Sequence, residues 1–329
     1  MERRVFELDG WRAVSIYCVL AGHMLPLGPK VLELNGAVAT AGMAIFFSLS
    51  GFLIVNMLLH DDGVAAFLVR RLARILPLAW LCLAIVLFLG DASANDWIAN
   101  FFFFANLPPF YLQHAGHFWS LCVEMQFYLA IALVFSVFGR RGLLLIPIVA
   151  LAITMNRILH NETWSIVTWF RVDEILAGGS LALLLHHGRM PVDGRAVRLA
   201  PYALAPLLLI ASHPINTPLA YLRPYLAAAL VGVTMVACHA WLRSFLASRI
   251  NKYVAEISYA LYVVHPFTTH GWLGSGDTFV KYAKRPLCFL ITFGVAHLST
   301  FYYEKLWRDR AKNFLSKKRI AADTHGKSV

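Results

Sequence analysis

The chain is poor in charge and poorer still in acids. Charged residues make up 14% of its 329 positions, with 18 Asp or Glu against 29 Lys or Arg. Together with 59% hydrophobic residues and a mean hydropathy of +0.63, this excludes an ordinary soluble globular domain. Cysteine is scarce too. Cys18, Cys82, Cys122, Cys238 and Cys288 are odd in number, sit in or at the ends of apolar segments and lack metal-ligand spacing. They read as packing residues, not as disulfides or metal ligands. A cleavable leader is not expected, because Arg12 interrupts what would be its apolar core and no small-residue cleavage pattern follows His23. No internal repeat is visible, which counts against a transporter built of inverted repeats.

What remains is apolar sequence in helix-length pieces. Segments near 11–28, 37–59, 73–90, 117–138, 142–159, 166–187, 199–213, 221–241, 254–272 and 286–305 read as spans of a hydrocarbon core about 30 Å thick. The expectation is an all-α, polytopic membrane protein with about ten transmembrane helices. Residues 1–310 would form the transmembrane domain and 311–329 a basic, disordered cytoplasmic tail facing membrane lipids. With ten spans, 21 of the 29 Lys and Arg fall on the side of the termini and 6 on the other, while Arg12 and Arg171 lie within spans. That bias places both termini in the cytoplasm. It also explains the net charge of +11 as loop bias, not as a nucleic-acid surface.

The first span, LDGWRAVSIYCVLAGHMLP, carries Arg12 near one end and His23 toward the other. Eleven positions apart, they lie roughly 20° from each other on one face and about 16 Å apart in height. Ionisable groups inside a span are costly and mark function. The bland alternative is a snorkelling arginine and a histidine bonded to a neighbouring helix. In the second span, AIFFSLSGFLIVN offers Ser48, Ser50 and Gly51 for close helix approach. FLVRRLARILPLAW then brings Arg71 and Arg74, three residues apart, to one face at a cytoplasmic interface, a pair of forks suited to phosphates. Topology alone also puts arginines there.

NFFFFANLPPF, between Gly90 and Gly116, is too interrupted for a span and reads as a re-entrant or interfacial element over a cavity. HFWSLCVEMQFYLA sets His117, Ser120, Glu124 and Tyr128 on one helix face. A carboxylate such as Glu124 two turns into an apolar helix needs a partner, a proton or a catalytic role. In the sixth span Arg171, Asp173 and Glu174 precede Gly178-Gly179-Ser180. Arg171 can pair with Glu174 within the helix or hold an anionic or sugar group in a cavity. The ninth span adds Glu256, Tyr259 and His265, the last before a helix-bending proline.

These segments, in this order, resemble the acyltransferase 3 family of integral membrane acyltransferases over nearly the whole chain. The most specific piece is the arginine, ten residues, histidine pattern from Arg12 to His23; the others are FFSLSGFLI, RRLARILP, HFWSLCVEMQFYL, RVDEILAGGSLA and ISYALYVVHP. The chain departs from the pattern at Met125, where a second acid is common, and at Val264, where tryptophan is frequent. It looks like the stand-alone form, without a fused esterase-like domain. The resemblance implies O-acyl transfer, most often of acetyl from cytoplasmic acetyl-CoA, to a hydroxyl of an envelope glycan or lipid-linked sugar at a bacterial inner membrane, with no metal.

On that expectation His23 and Glu124 are the catalytic candidates, His23 as general base or transient acyl carrier and Glu124 orienting it. Arg12, Arg71 and Arg74 would bind the phosphates of the acyl-CoA. His117, Ser120 and Arg171 would meet the acceptor. Three alternatives stay open: transfer of succinyl or another acyl group, a proton-coupled permease, and a non-catalytic envelope scaffold.

Overall fold

A chain with long apolar runs and few charges has no backbone partner in a membrane but itself, and it satisfies its peptide groups as helices. The computed structural model describes residues 6–60, 63–188, 194–215 and 217–325, with side chains as far as Lys317, and no strand occurs among them. Arg3, Arg4, Arg189 and Lys327, used in the charge count, lie outside the described residues. The helices are α1 (Phe6–Met24), α2 (Leu34–His60), α3 (Val64–Leu89), α4 (Ala94–Phe101), α5 (Trp119–Phe138), α6 (Ile146–Leu159) and α7 (Asp173–His186). They continue with α8 (Arg195–Ala211), α9 (Arg223–Val236), α10 (Ala240–Leu246), α11 (Arg249–Val264), α12 (Gly271–Gly274), α13 (Thr278–Ala283), α14 (Arg285–Leu298) and α15 (Glu304–His325).

Each expected apolar segment coincides with one of α1, α2, α3, α5, α6, α7, α8, α9, α11 and α14. By length and composition, five continuous helical stretches among the described residues are able to cross a membrane: Lys30–His60, Val64–Leu89, Gly116–Leu159, Pro218–Val236 and Thr278–Lys317. The 44-residue stretch Gly116–Leu159 holds two expected segments, α5 and α6, joined by a 3₁₀ turn at Gly139–Leu145. Helices α7, α8 and α11 have only 14, 17 and 16 residues, and α1 carries Glu7, Asp9 and Arg12. Two boundaries move for local reasons. The ninth segment stops at Val264, before His265-Pro266, because proline cannot continue the i to i−4 bonding. The eighth stops at Val236, where Ala237 turns extended.

Helix α15 runs on past residue 310 as far as His325. Its residues are good helix formers, it continues from α14 through a π-helical turn at Ser299–Tyr303, and Lys312 pairs with Asp309 one turn back at 3.8 Å.

Helix α1 is surrounded. It packs on α2, α9, α10 and α11, and polar bonds fasten it to them. Trp11 Nε1 donates to Thr234 Oγ1 on α9 at 2.7 Å, and Tyr17 Oη donates to Asn251 Oδ1 on α11 at 3.1 Å. Asn35 at the start of α2 donates to the carbonyls of Gly22 and Leu25, both at 2.7 Å, and so supplies the C-terminal turn of α1 with partners it otherwise lacks.

The small residues read as a close-approach surface act as one. A Cβ at Gly51 on α2 would collide with the Ile175 carbonyl of α7, and a Cβ at Gly178 on α7 would collide with the Ser48 carbonyl of α2. Backbone meets backbone here, so neither neighbour can give. Between α3 and α5, the phenylalanine-rich segment forms α4 and a set of turns. Gln126 Nε2 donates to Phe103 O at 2.8 Å and Asn106 Oδ1 at 2.9 Å, and Asn106 Nδ2 to Ile166 O at 2.9 Å, which fixes these turns to α5 and to the loop before α7.

Gly178→Ala is expected to lower stability by about 1–3 kcal/mol through overpacking, read as a drop in thermal midpoint of the detergent-solubilised protein. Gly294→Ala, on a helix position with open space around it, should be neutral or raise the midpoint slightly.

Candidate active site

Two cavities open along the α1 face that carries Arg12 and His23. The first, of about 470 Å³, is lined by Arg12, Arg71 and Arg74, with Phe46, Ser50, Glu124, Tyr128 and Tyr259 among its other walls. Three guanidiniums from α1 and α3 therefore face one space. Glu124 answers them from α5, and its Oε1 accepts from Ser50 Oγ at 2.5 Å and from Tyr128 Oη. Arg12 also sits 3.7 Å from Asp9 one turn below. The arrangement is a cationic cavity with one lining carboxylate, held by two hydroxyls, and is suited to a phosphate-bearing ligand.

The second cavity, of about 920 Å³, is lined by His23, His117, Trp119, Trp164, Arg171 and Tyr262, with Tyr111 and Leu112 of the phenylalanine-rich segment over it. A further cavity of about 880 Å³ shares His23, Ala39, Thr40 and Trp164 with it and reaches Asn35, His213 and Arg223.

His23 is not alone. Its Nδ1 lies 2.8 Å from Nε2 of His265, with the rings 9° from parallel. His265 Nδ1 in turn lies 2.8 Å from the Tyr262 carbonyl. A carbonyl only accepts, so His265 Nδ1 carries the proton and its Nε2 presents a lone pair. In the neutral dyad His23 must then donate from Nδ1, which leaves the lone pair of its Nε2 free, on a residue exposed to the cavities. His117 Nε2 donates to Val263 O at 3.1 Å, leaving its Nδ1 as acceptor.

The sixth expected segment carries a buried ionic cluster. Arg157 Nη1 pairs with Asp173 Oδ2 at 2.6 Å and donates from Nη2 to Thr163 O at 3.0 Å. Arg223 Nε pairs with Glu174 Oε1 at 2.7 Å. Arg171 Nη2 is 3.5 Å from Glu174 Oε2, and its guanidinium lies over Trp119 at 5.0 Å. None of the three Arg171 nitrogens makes a hydrogen bond. Three arginines and two carboxylates leave this cluster with one positive charge in excess, at the cavity that His23 lines.

The structure thus brings Arg12, Arg71 and Arg74 together, and His23, His117 and Arg171 together. It does not bring Glu124 to His23. The residues that helical phase groups on one face, His117, Ser120, Glu124 and Tyr128, are divided between the two cavities, with His117 in a 3₁₀ turn ahead of α5. Glu124 and Tyr128 turn to the arginines and His117 to the histidines. Ser120, expected to meet an acceptor, is fully buried and donates to Tyr262 Oη at 2.6 Å. The partner expected in Glu124 is His265, a residue 242 positions from His23. Its only sequence signal is a histidine at a proline-terminated helix end. Among the described residues, no group of three or more His, Cys, Asp or Glu could hold a metal ion.

The acyltransferase 3 family model, an acyltransferase domain, matches residues 5–308. The chain belongs to the acyltransferase 3 family. The chain is similar to a peptidoglycan O-acetyltransferase of Listeria monocytogenes, 26% identical over 308 residues that cover 79% of the chain and 48% of that protein. It is also similar to nodulation protein 10 of Rhizobium leguminosarum bv. viciae, 24% identical over 280 residues, 71% of the chain and 74% of that protein. The chain thus spans about half the length of the first and about three quarters of the second. No solved structure matches it.

Arg157→Ala leaves Asp173 buried with its ion-pair partner gone. The expected cost is about 3–5 kcal/mol, seen as loss of the folded, monodisperse fraction on solubilisation; Arg157→Ala with Asp173→Ala should recover part of it.

Proposed function

We propose that this acyltransferase moves an acetyl group from cytoplasmic acetyl-CoA to a hydroxyl of a cell-envelope glycan or lipid-linked sugar, across a bacterial inner membrane. The observation that carries the proposal is that one helix, α1, contributes Arg12 to an arginine cavity and His23 to a histidine cavity. The relatives named O-acetyltransferases favour acetyl as the group moved. Residues 1–310 act as one domain of ten membrane-spanning helices with both termini cytoplasmic, a reading supported by the Lys and Arg bias and by ten described helices at the expected segments.

In this reading the CoA phosphates bind Arg71, Arg74 and Arg12 in charge-assisted hydrogen bonds. The pantetheine arm runs up the α1 face and delivers the thioester toward His23. The acceptor enters the larger cavity by way of His117 and Arg171. His23 Nε2 takes the proton of the acceptor hydroxyl while its Nδ1–H is held by His265, and the oxygen attacks the thioester carbonyl. The C–S bond then breaks, His23 returns the proton to the thiolate, and the products are an ester and free CoA thiol. Glu124, held by Ser50 and Tyr128, balances the arginine cavity and takes no proton from the acceptor. His265 is a positioning residue. It sets which nitrogen of His23 is basic, a role that the orienting carboxylate plays in other triads.

With protein in lipid nanodiscs, acetyl-CoA binding and CoA-thiol release test this directly. His23→Ala should bind acetyl-CoA normally and lose roughly 10²–10⁴-fold in thiol release. Arg71→Ala with Arg74→Ala should lose binding, since each charge-assisted contact is worth about 1.5–3 kcal/mol. His265→Ala should give an intermediate loss in turnover with acetyl-CoA affinity unchanged. Wild-type protein that neither binds acetyl-CoA nor releases thiol, yet moves solute into vesicles, would replace this reading with the permease. For topology, an export-dependent reporter fused after Lys284 should be active and one fused after Arg141 silent.

A further inference from the structure

The two cavities are divided by a pair of rings. Phe46 on α2 lines the arginine cavity, and Tyr262 on α11 lines the histidine cavity. Their rings stack with centroids 6.3 Å apart and planes 7° from parallel. The wall between the arginines and His23 is therefore, at this point, two aromatic faces thick.

The two rings are held very differently. Tyr262 is fixed at its hydroxyl, which accepts from Ser120 Oγ at 2.6 Å and donates to the His117 carbonyl at 2.5 Å. Its backbone is fixed as well, because its carbonyl accepts from His265 Nδ1. Phe46 has no polar group to tether it and is only half-buried, and its other ring neighbour is the tilted ring of Phe47 at 6.0 Å. Rotation of Phe46 breaks no hydrogen bond. Rotation of the Tyr262 ring breaks two.

We propose that the Phe46–Tyr262 stack is the gate between the two cavities, with Tyr262 the fixed leaf and Phe46 the moving one. The acyl end of the donor reaches His23 only when Phe46 swings aside. The proposal rests on the reading that a CoA thioester occupies the arginine cavity. It gives Ser120 a use that its burial otherwise denies it, as the residue that pins the fixed leaf. It also accounts for a large histidine cavity, open to an acceptor, standing next to a donor site without admitting water freely to the thioester.

Bromoacetyl-CoA is the probe. Its bromomethyl carbon, carried past the gate, is attacked by His23 Nε2; an N–C bond forms, bromide leaves, and the alkylated imidazole then loses the Nδ1 proton. Full-length protein in lipid nanodiscs is incubated with saturating probe, and labelling of His23 is followed by peptide mass spectrometry. Iodoacetamide labelling of the same residue reports its intrinsic reactivity, and thermal midpoints report folding. Phe46→Ala should raise the first-order rate of His23 labelling by bromoacetyl-CoA roughly tenfold, and Phe46→Trp should lower it by a similar factor, the scale of a modest change in pocket fit. Iodoacetamide labelling should be the same in all three proteins.

Equal bromoacetyl-CoA labelling in wild type, Phe46→Ala and Phe46→Trp would overturn the gate and leave the donor reading standing. Labelling of His23 by iodoacetamide but by bromoacetyl-CoA in no protein, Phe46→Ala included, would overturn the donor reading and the gate with it. Tyr262→Phe separates a gate from mere packing. Freed of its two hydroxyl bonds, the second ring can move as well, so labelling should rise even though the ring itself is retained.

Discussion

A guanidinium and an imidazole on one apolar helix have to be given partners, and much of the structure is the set of neighbours that does this. Arg12 cannot sit in hydrocarbon unaccompanied, nor can His23 present a basic nitrogen without something to hold its other one. Helix α1 is accordingly central. Trp11, Tyr17 and Asn35 tie it to α9, α11 and α2, and Arg12 and His23 open into two different cavities. The close backbone contacts of α2 with α7 at Gly51 and Gly178 serve the same end, because they fix α2, the helix with which α1 makes its most extensive contact.

The two cavities differ in chemistry in a way that suits a transfer between them. The lower one concentrates cations and offers one tethered carboxylate. The upper one has a histidine pair whose tautomers, in the neutral form, are dictated by a backbone carbonyl, and an arginine whose guanidinium makes no hydrogen bond. Neutral imidazole in one place and permanent guanidinium in the other separate base from binding charge, and that separation favours the proposed division of labour. Tyr262 links them, since its ring stacks on Phe46, its hydroxyl holds Ser120 and His117, and its carbonyl orients His265.

The buried arginines show the cost of the arrangement. Arg157, Arg171 and Arg223 are each almost fully buried, and desolvating a charge is expensive unless it is repaid by close partners. Arg157 and Arg223 have carboxylates at 2.6 and 2.7 Å. Arg171 has only a longer contact with a carboxylate already engaged by Arg223, and the face of Trp119. A residue left in that condition beside a large cavity supports its proposed part in meeting an acceptor.

Hydropathy and helical phase determined a good deal without coordinates. Helices over apolar segments follow from backbone satisfaction in lipid; the shared face of Arg12 and His23, the pairing of Arg71 with Arg74 and the close-packing small residues follow from period and size. The family was legible in six short segments. The sequence could not determine which wall each residue meets. Phase places His117, Ser120, Glu124 and Tyr128 on one face but says nothing of how far up that face a neighbouring cavity begins, so it did not foresee that Glu124 is bonded to Ser50 and Tyr128 beside the arginines. The His23–His265 pair joins residues 242 positions apart, and the Phe46–Tyr262 stack joins α2 to α11. Contacts between helices distant in sequence depend on how whole helices pack, and only the tertiary structure decided those.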